Sequence, residues 1–310
     1  MLPYAFFQGK IVPLSEAKIG VMTHAFNYGT AVFEGIRGNW NAEHEQTYLF
    51  RMADHYRRLA KSCRVLKIDL RYSLEDMCRH TVEIVQRSGF REDIYVRPLA
   101  YKSSEAVGVR LHNLESDFLI FVTPFGNYLD SDKGIHCATS SWRRIDDSMI
   151  PARAKVTGGY VNSALAKTEA QESGYDEAIM LTFDGHVAEG SGENLFIIAK
   201  GKLITPPESD DILVGITRDT VIQLAREEFG VETVERSIDR SELYLADECF
   251  LTGTAAHVTP VLSVDHRAIG TGQVGKLSKS IQNLYFDIVT GKVKKYQDWL
   301  TPIQAKLVKA

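Results

Sequence analysis

Between Thr123 and Gly134 the sequence reads TPFGNYLDSDKG, a run of Pro, Gly, Asn and Asp that fits neither a helix nor a strand. It divides a chain of 310 residues into two parts, each long enough to bury a core of its own. The expected organisation is therefore a small domain over 1–125, an interdomain loop over 126–134 and a larger domain over 135–310.

Hydrophobic patterning assigns elements to each part. In the first, apolar residues flank a Gln-Gly-Lys turn over 6–12, and a strand is expected over 45–50. Tyr56, Leu59, Ala60 and Cys63 recur at helical spacing, and Ser73 with Asp76 has the form of a capping box opening a helix that ends at Gly89. Strands rich in Tyr, Val, Ile and Phe follow over 93–101 and 117–122. The second part predicts a strand over 135–141, a helix over 162–173, hairpins at Asp184-Gly185 and Lys200-Gly201, and helices starting near Thr217 and Gly275. Strands joined by hairpins, without a regular βα alternation, imply an α+β fold of two domains with mixed or antiparallel sheets.

Composition excludes several classes of function. The 36 basic and 40 acidic residues give a net charge of −4 with no basic run, so no nucleic-acid partner is expected and a small molecule is the natural ligand. No apolar stretch approaches the roughly 20 residues that span a bilayer, and MLPYAFFQGK has no basic segment leading into an apolar one. A cytoplasmic location without membrane contact is the expectation. Cys63, Cys78, Cys137 and Cys249 contain no CxxC pair and read as buried thiols. GxSxG, Walker, GxGxxG and HExxH patterns are absent and the histidines form no ligand pairs, so no metal is expected.

Several segments carry residues suited to chemistry, each with a plainer alternative. In AKVTGGYVN, Lys155 stands among small and apolar residues; a site of low polarity would free its amine for attack on an aldehyde, whereas a surface lysine only snorkels. In GHVAEGSGENLF, Glu189 closes a hairpin strand in a glycine-rich turn, where it could hold a pyridine nitrogen protonated or simply be solvated. Thr217, in LVGITRD, opens a helix whose N–H groups could take a phosphate, or it caps that helix. ECFLTGTAA runs a strand into a turn of small residues that can present N–H groups and the Thr254 hydroxyl to an anion. HYRRL offers Arg58 to a phosphate, and YVR puts Tyr95 and Arg97 on one strand face, where they could share a carboxylate.

Taken in order, NYGTAVFEGIR, HYRRL, IYVRPL, AKVTGGYVNS, AEGSGENLF, GITRD and LADECFLTGTAA resemble the branched-chain amino-acid aminotransferases, pyridoxal-phosphate enzymes of fold type IV, over nearly the whole chain. The resemblance implies transamination of leucine, isoleucine and valine with 2-oxoglutarate in two half-reactions. It implies that Lys155 carries the cofactor and moves the proton, that Glu189 pairs with the pyridine nitrogen and that Tyr160 hydrogen-bonds the ring oxygen. Arg58, the N–H groups of Ile216 and Thr217, and the Thr254 hydroxyl match the phosphate cup. Tyr95 and the N–H groups of the Thr254-Ala255-Ala256 turn match the α-carboxylate site, and Arg97 the site of the second carboxylate of glutamate. Tyr28, Phe33, Phe125 and Tyr128 match the side-chain pocket. A homodimer or higher homo-oligomer is implied.

Two departures stand out: Glu105-Ala106-Val107-Gly108-Val109 replaces a loop with two glycines ahead of valine, and His257 stands where an acid is more usual. Both bear on side-chain preference. The same fold also serves D-amino-acid or (R)-amine transaminases and aminodeoxychorismate lyases, which remain the alternatives; Tyr95 with Arg97 argues against them.

Overall fold

Gln8 and Gly9 both take positive φ, 49° and 75°, the pair of left-handed residues that closes a tight hairpin between Tyr4–Phe7 and Lys10–Pro13. This hairpin begins the computed structural model, which describes residues 3–126 and 128–304. The described chain forms two compact units. One draws on the N-terminal stretch up to Gly126, on Ala154–Gly158 and on the stretch from Asp287 onward; the other uses the chain up to Arg153 and Gly159–Phe286.

The first unit is built on an eight-stranded sheet, antiparallel throughout. Its order in space is Leu300–Gln304, Gln46–Phe50, Ile36–Asn41, Ile94–Lys102, Ser116–Pro124, Tyr4–Phe7 and Lys10–Pro13, with Ala31–Phe33 also paired to Ile94–Lys102. Phe33 faces Leu99 and Ile36 faces Val96, so one register holds on both sides of a gap at Glu34-Gly35. Pro98 lies across that gap. It has no N–H to donate, and the one bond left there runs from the Glu34 N–H to the Pro98 carbonyl at 2.9 Å.

Two helices, Met52–Val65 and Leu74–Ser88, bury Tyr56, Leu59 and Ile84 among core side chains that include Phe6, Phe118 and Ile120. Leu74–Ser88 has the expected capping box between Ser73 and Asp76 and ends on Gly89 at φ 64°, the left-handed stop that glycine adopts without strain. The strand expected from residue 45 begins at Gln46, because Glu45 itself has φ 50°.

The second unit holds a nine-stranded mixed sheet. Its order is Val187–Gly190, Glu177–Leu181, Ile135–Thr139, His257–Val264, Glu248–Gly253, Asn194–Ala199, Lys202–Thr205 and Thr233–Glu235, with Arg267–Ala268 beside His257–Val264. Three of its pairings are parallel. Both faces are covered: Leu195, Ile197, Cys249 and Leu251 enter one core, while Phe196 and Phe250 stack at 5.1 Å on the other side. Strands buried on both faces explain the unbroken apolar runs NLFIIA and EAIML. Helix Tyr160–Glu172 lays Ala166 and Ala170 against Ala178 and Met180.

Two further expectations shift. The strand over 135–141 stops at Thr139, because Ser140 and Ser141 turn to hydrogen-bond Glu169. Cys63, Cys137 and Cys249 are buried, whereas Cys78 is half-buried beside the stripe of Met77, Thr81, Ile84, Val85 and Ser88. Burial pushes the thiols of Cys63 and Cys249 up to about 12. No described helix is long and apolar enough to cross a membrane.

The capping box supplies the first prediction. Ser73→Ala removes the acceptor for the Asp76 N–H and should cost about 1 kcal/mol, seen as a lower midpoint in urea unfolding at unchanged slope.

Candidate active site

Lys155 belongs to the first unit, in a segment laid against Ala31–Phe33. The Phe33 N–H donates to the Lys155 carbonyl at 3.0 Å, Val32 bridges Val156, and the Thr157 hydroxyl donates to the carbonyls of Gly29 and Ala31. The Lys155 N–H donates to Ser62 Oγ at 3.2 Å. Gly158 packs on Gly29, where a Cβ would stand 2.8 Å from the Gly158 Cα, so the missing side chains serve a close approach of two backbones.

The Lys155 amine is not a snorkelling surface group. It is half-buried, and its Nζ lies 5.1 Å from the centroid of the Phe33 ring. The Arg97 guanidinium sits over the same ring at 4.4 Å and donates to the Tyr95 hydroxyl at 3.2 Å. Tyr95 in turn meets Phe125, ring centroids 5.1 Å apart. Gly35 makes this possible, since a Cβ there would fall 1.8 Å from the Tyr95 hydroxyl. Phe33, Tyr95, Arg97, Phe125 and Lys155 are thus brought together. Tyr28 has its contacts elsewhere: its hydroxyl accepts the Gly108 N–H at 3.0 Å, which ties it to the 105–109 loop, and its ring lies by His24.

Arg58, from helix Met52–Val65, forms a two-point pair with Glu34: Nε to Oε1 at 2.6 Å and Nη2 to Oε2 at 2.8 Å. His55 Nδ1 meets the same carboxylate at 2.8 Å. Burial alone would raise the pKa of Glu34, but Arg58 and His55 outweigh it and hold the carboxyl far below the usual range. Burial pushes His55 below its ordinary value against the pull of Glu34.

In the second unit Glu189 stands on Val187–Gly190, just past a β-bulge that re-aims its side chain. Its carboxylate is buried and held by Arg144 Nε on Oε1 at 2.9 Å and, on Oε2, by Asn194 Nδ2 at 3.0 Å and the Leu213 N–H at 3.1 Å. Three donors of this kind stabilise the ionised form. Asn194 also donates to the Leu213 carbonyl, and a Cβ on Gly215 would lie 2.0 Å from its Oδ1. Glycine is therefore required where the next helix begins.

That helix, Ile216–Phe229, has Gly215 as its N-cap and no side-chain cap hydrogen bond. Thr217 is not the cap; it sits one residue inside, buried, in a terminus of the kind that takes an anion. Thr254, Ala255 and Ala256 form the turn between Glu248–Gly253 and His257–Val264, braced by the Thr259 hydroxyl donating to the Ala256 carbonyl at 2.7 Å. His257 follows at φ 56° with its ring against Phe286. Tyr160 opens helix Tyr160–Glu172, and Tyr128, 43% exposed, lies under the Lys167 ammonium.

Glu34, Arg144 and Asn194 received no role from the sequence. Glu34 alone carried a signal, a single carboxylate inside the apolar run AVFEGI, which a buried strand accommodates only with a cationic partner. Among the described residues no group of His, Cys, Asp and Glu could hold a metal ion.

Glu193 is a buried carboxyl of another sort. Burial, and then the charge of Glu177, push it up to about 8. An acid whose folded pKa is raised contributes stability that is lost as pH climbs from its unfolded value towards the folded one. Glu193→Gln should therefore gain on the wild type in unfolding free energy between about pH 5 and about pH 8, by roughly 1 kcal/mol or more. Equal differences at both pH values in urea titrations would contradict this.

Comparison with known proteins agrees with the geometry. Residues 31–264 match the family described as amino-transferase class IV. An Aquifex aeolicus protein named "Probable branched-chain-amino-acid aminotransferase" is 54% identical over 305 residues, 98% of either chain. A crystal structure of the branched-chain aminotransferase of Thermoproteus uzoniensis with norvaline superposes with a TM-score of 0.93 at 45% identity, over 97% of this chain and 99% of that one. The branched-chain amino acid aminotransferase of Thermobaculum terrenum, in its PLP-bound holo form, gives 0.92 at 39% identity, over 97% of this chain and 98% of that one. A buried, thrice-bonded carboxylate, a lysine over an aromatic ring and whole-length identity of this order lead to one assignment: the chain belongs to the class IV aminotransferases, in the branched-chain amino-acid aminotransferase family.

Proposed function

We infer that the chain is a pyridoxal-phosphate transaminase that moves the amino group of leucine, isoleucine or valine to 2-oxoglutarate, giving a branched 2-oxo acid and glutamate. The observation that carries this is the placing of the Lys155 amine and the Arg97 guanidinium over the one Phe33 ring, in a chain of this family. An amine able to attack an aldehyde and a cation able to take a side-chain carboxylate are what a site must offer if it is to accept both an apolar amino acid and glutamate.

The residues fit the cofactor by their own chemistry. Glu189, kept anionic by Arg144, Asn194 and the Leu213 N–H, suits a protonated ring nitrogen, and the helix start at Gly215 suits a phosphate. When bound, pyridoxal phosphate supplies an aldehyde that receives the amino group and a ring that draws electrons from the α-carbon.

The chain's own groups do the rest. Lys155 takes the proton from the substrate α-carbon and returns it on the cofactor side. Glu189 holds the ring nitrogen protonated, and Tyr160 donates to the ring oxygen. Arg58, the N–H groups of Ile216 and Thr217, and the Thr254 hydroxyl hold the phosphate. Tyr95 and the N–H groups of Thr254, Ala255 and Ala256 take the α-carboxylate, and Arg97 the second carboxylate of glutamate. Tyr28, Phe33, Phe125 and Tyr128 line the side-chain pocket. The working form in this reading is a homodimer or higher homo-oligomer in the cytoplasm.

D-amino-acid or (R)-amine transamination and aminodeoxychorismate lysis are not favoured, since the matched relatives are named for branched-chain substrates. Loop 105–109 and His257 are where the substrate range would diverge, because the loop contacts Tyr28 and His257 closes the Thr254–Ala256 turn.

Three measurements test the roles. Lys155→Ala should lose the near-ultraviolet to visible absorption band of the holoenzyme. Glu189→Gln should keep the cofactor yet lose turnover by about a hundredfold or more; undiminished turnover rules out its role. Arg97→Ala should raise KM for 2-oxoglutarate by about tenfold or more while changing the leucine half-reaction far less. Rates with leucine, isoleucine, valine and (R)-phenylethylamine, each with 2-oxoglutarate, decide the substrate class.

A further inference from the structure

Arg58 and Ser62 stand four residues apart on helix Met52–Val65, on one face. Ser62 receives the Lys155 N–H, and Arg58 meets Glu34, whose neighbour Phe33 donates its N–H to the Lys155 carbonyl. Glu34 is fully buried, set where Pro98 interrupts the ladder, and both of its oxygens are engaged by Arg58, one of them by His55 as well. A guanidinium is a rigid planar fork. When a carboxylate grips the Nε and Nη2 edge, the plane of the fork is set and the opposite edge, Nη1 with Nη2, is aimed.

We propose that Glu34 is a positioning residue for the phosphate of the cofactor, acting through Arg58: its two-point grip fixes the direction in which the guanidinium presents its other edge to the phosphate oxygens. The proposal rests on the reading that Arg58 belongs to the phosphate cup. Glu34 remains charged throughout the working range, because Arg58 and His55 hold its carboxyl ionised against the effect of burial, so the grip does not loosen with pH. A glutamine in its place would turn a donor towards a donor on one arm of the fork, and the fork would rotate.

A merely structural ion pair between strand and helix would affect every ligand alike, so the test isolates the phosphate. Full-length protein freed of cofactor is titrated with pyridoxal phosphate and with pyridoxal, which carries the same aldehyde and ring but no phosphate. The ratio of the two affinities is compared for wild type, Glu34→Gln, Glu34→Asp and Arg58→Ala. Glu34→Gln should lower the ratio by about tenfold or more with pyridoxal affinity held within about twofold, and Arg58→Ala should lower it at least as far. Glu34→Asp, which keeps the charge but shortens the reach, should lower the ratio by a smaller factor, and it decides the matter alone if Glu34→Gln does not fold. If the Glu34 variants weaken both ligands equally while Arg58→Ala lowers the ratio, Glu34 is structural only and the proposal is overturned. If Arg58→Ala leaves the ratio unchanged, it is the phosphate role of Arg58 that fails, and the proposal falls with it.

Discussion

The ladder between Ile94–Lys102 and Ser116–Pro124 runs through nine residue pairs and lies at the middle of the first sheet. On its other side the strand Ile94–Lys102 receives Ile36–Asn41 and Ala31–Phe33 in a single register, with Pro98 at the gap between them. Because side chains alternate along a strand, this one pairing sends Tyr95 and Arg97 to the same face, next to Phe33. A slip of one residue would turn both polar groups to the opposite side, into the aliphatic core beside Ile94 and Val96. Everything proposed for substrate binding in this unit depends on that register.

Each unit also contains a buried carboxylate whose oxygens are engaged by donors of the surrounding chain. Glu34 is held by a guanidinium and an imidazole; Glu189 is held by a guanidinium, a side-chain amide and a backbone N–H. Glu193, which has a backbone N–H from Gly192 and carboxylate neighbours, goes the other way: burial and the charge of Glu177 push its pKa up. The contrast shows that burial does not by itself decide the charge of an acid. The number and charge of the donors around it do.

Much of the fold was legible in the sequence because the signals are local. Ser73 with Asp76, Gly89, Asp184-Gly185 and Lys200-Gly201 each determine their own few residues, and the α+β class with mixed or antiparallel sheets follows from hairpins without a βα alternation. The pairing of Leu300–Gln304 with Gln46–Phe50, and of the Lys155 segment with Ala31–Phe33, had no local mark, since strand partners distant in sequence are chosen by shape and burial. The candidate site divides the same way. Lys155, Glu189, Tyr95 and Arg97 stood out as charged or polar residues in unusual company. The groups that hold the first two, Ser62, Arg144 and Asn194, look ordinary until the fold brings them near.

Leu300–Gln304 covers the flank of Gln46–Phe50, a strand made early whose partner on that side is among the last described residues of the chain. During synthesis on the ribosome, the backbone N–H and C=O groups along that flank wait for a cover until Leu300–Gln304 has emerged. An uncovered sheet edge is where one nascent chain pairs with another. A truncation ahead of Leu300 would remove this cover and leave the flank of Gln46–Phe50 open to edge-to-edge pairing for the lifetime of the molecule.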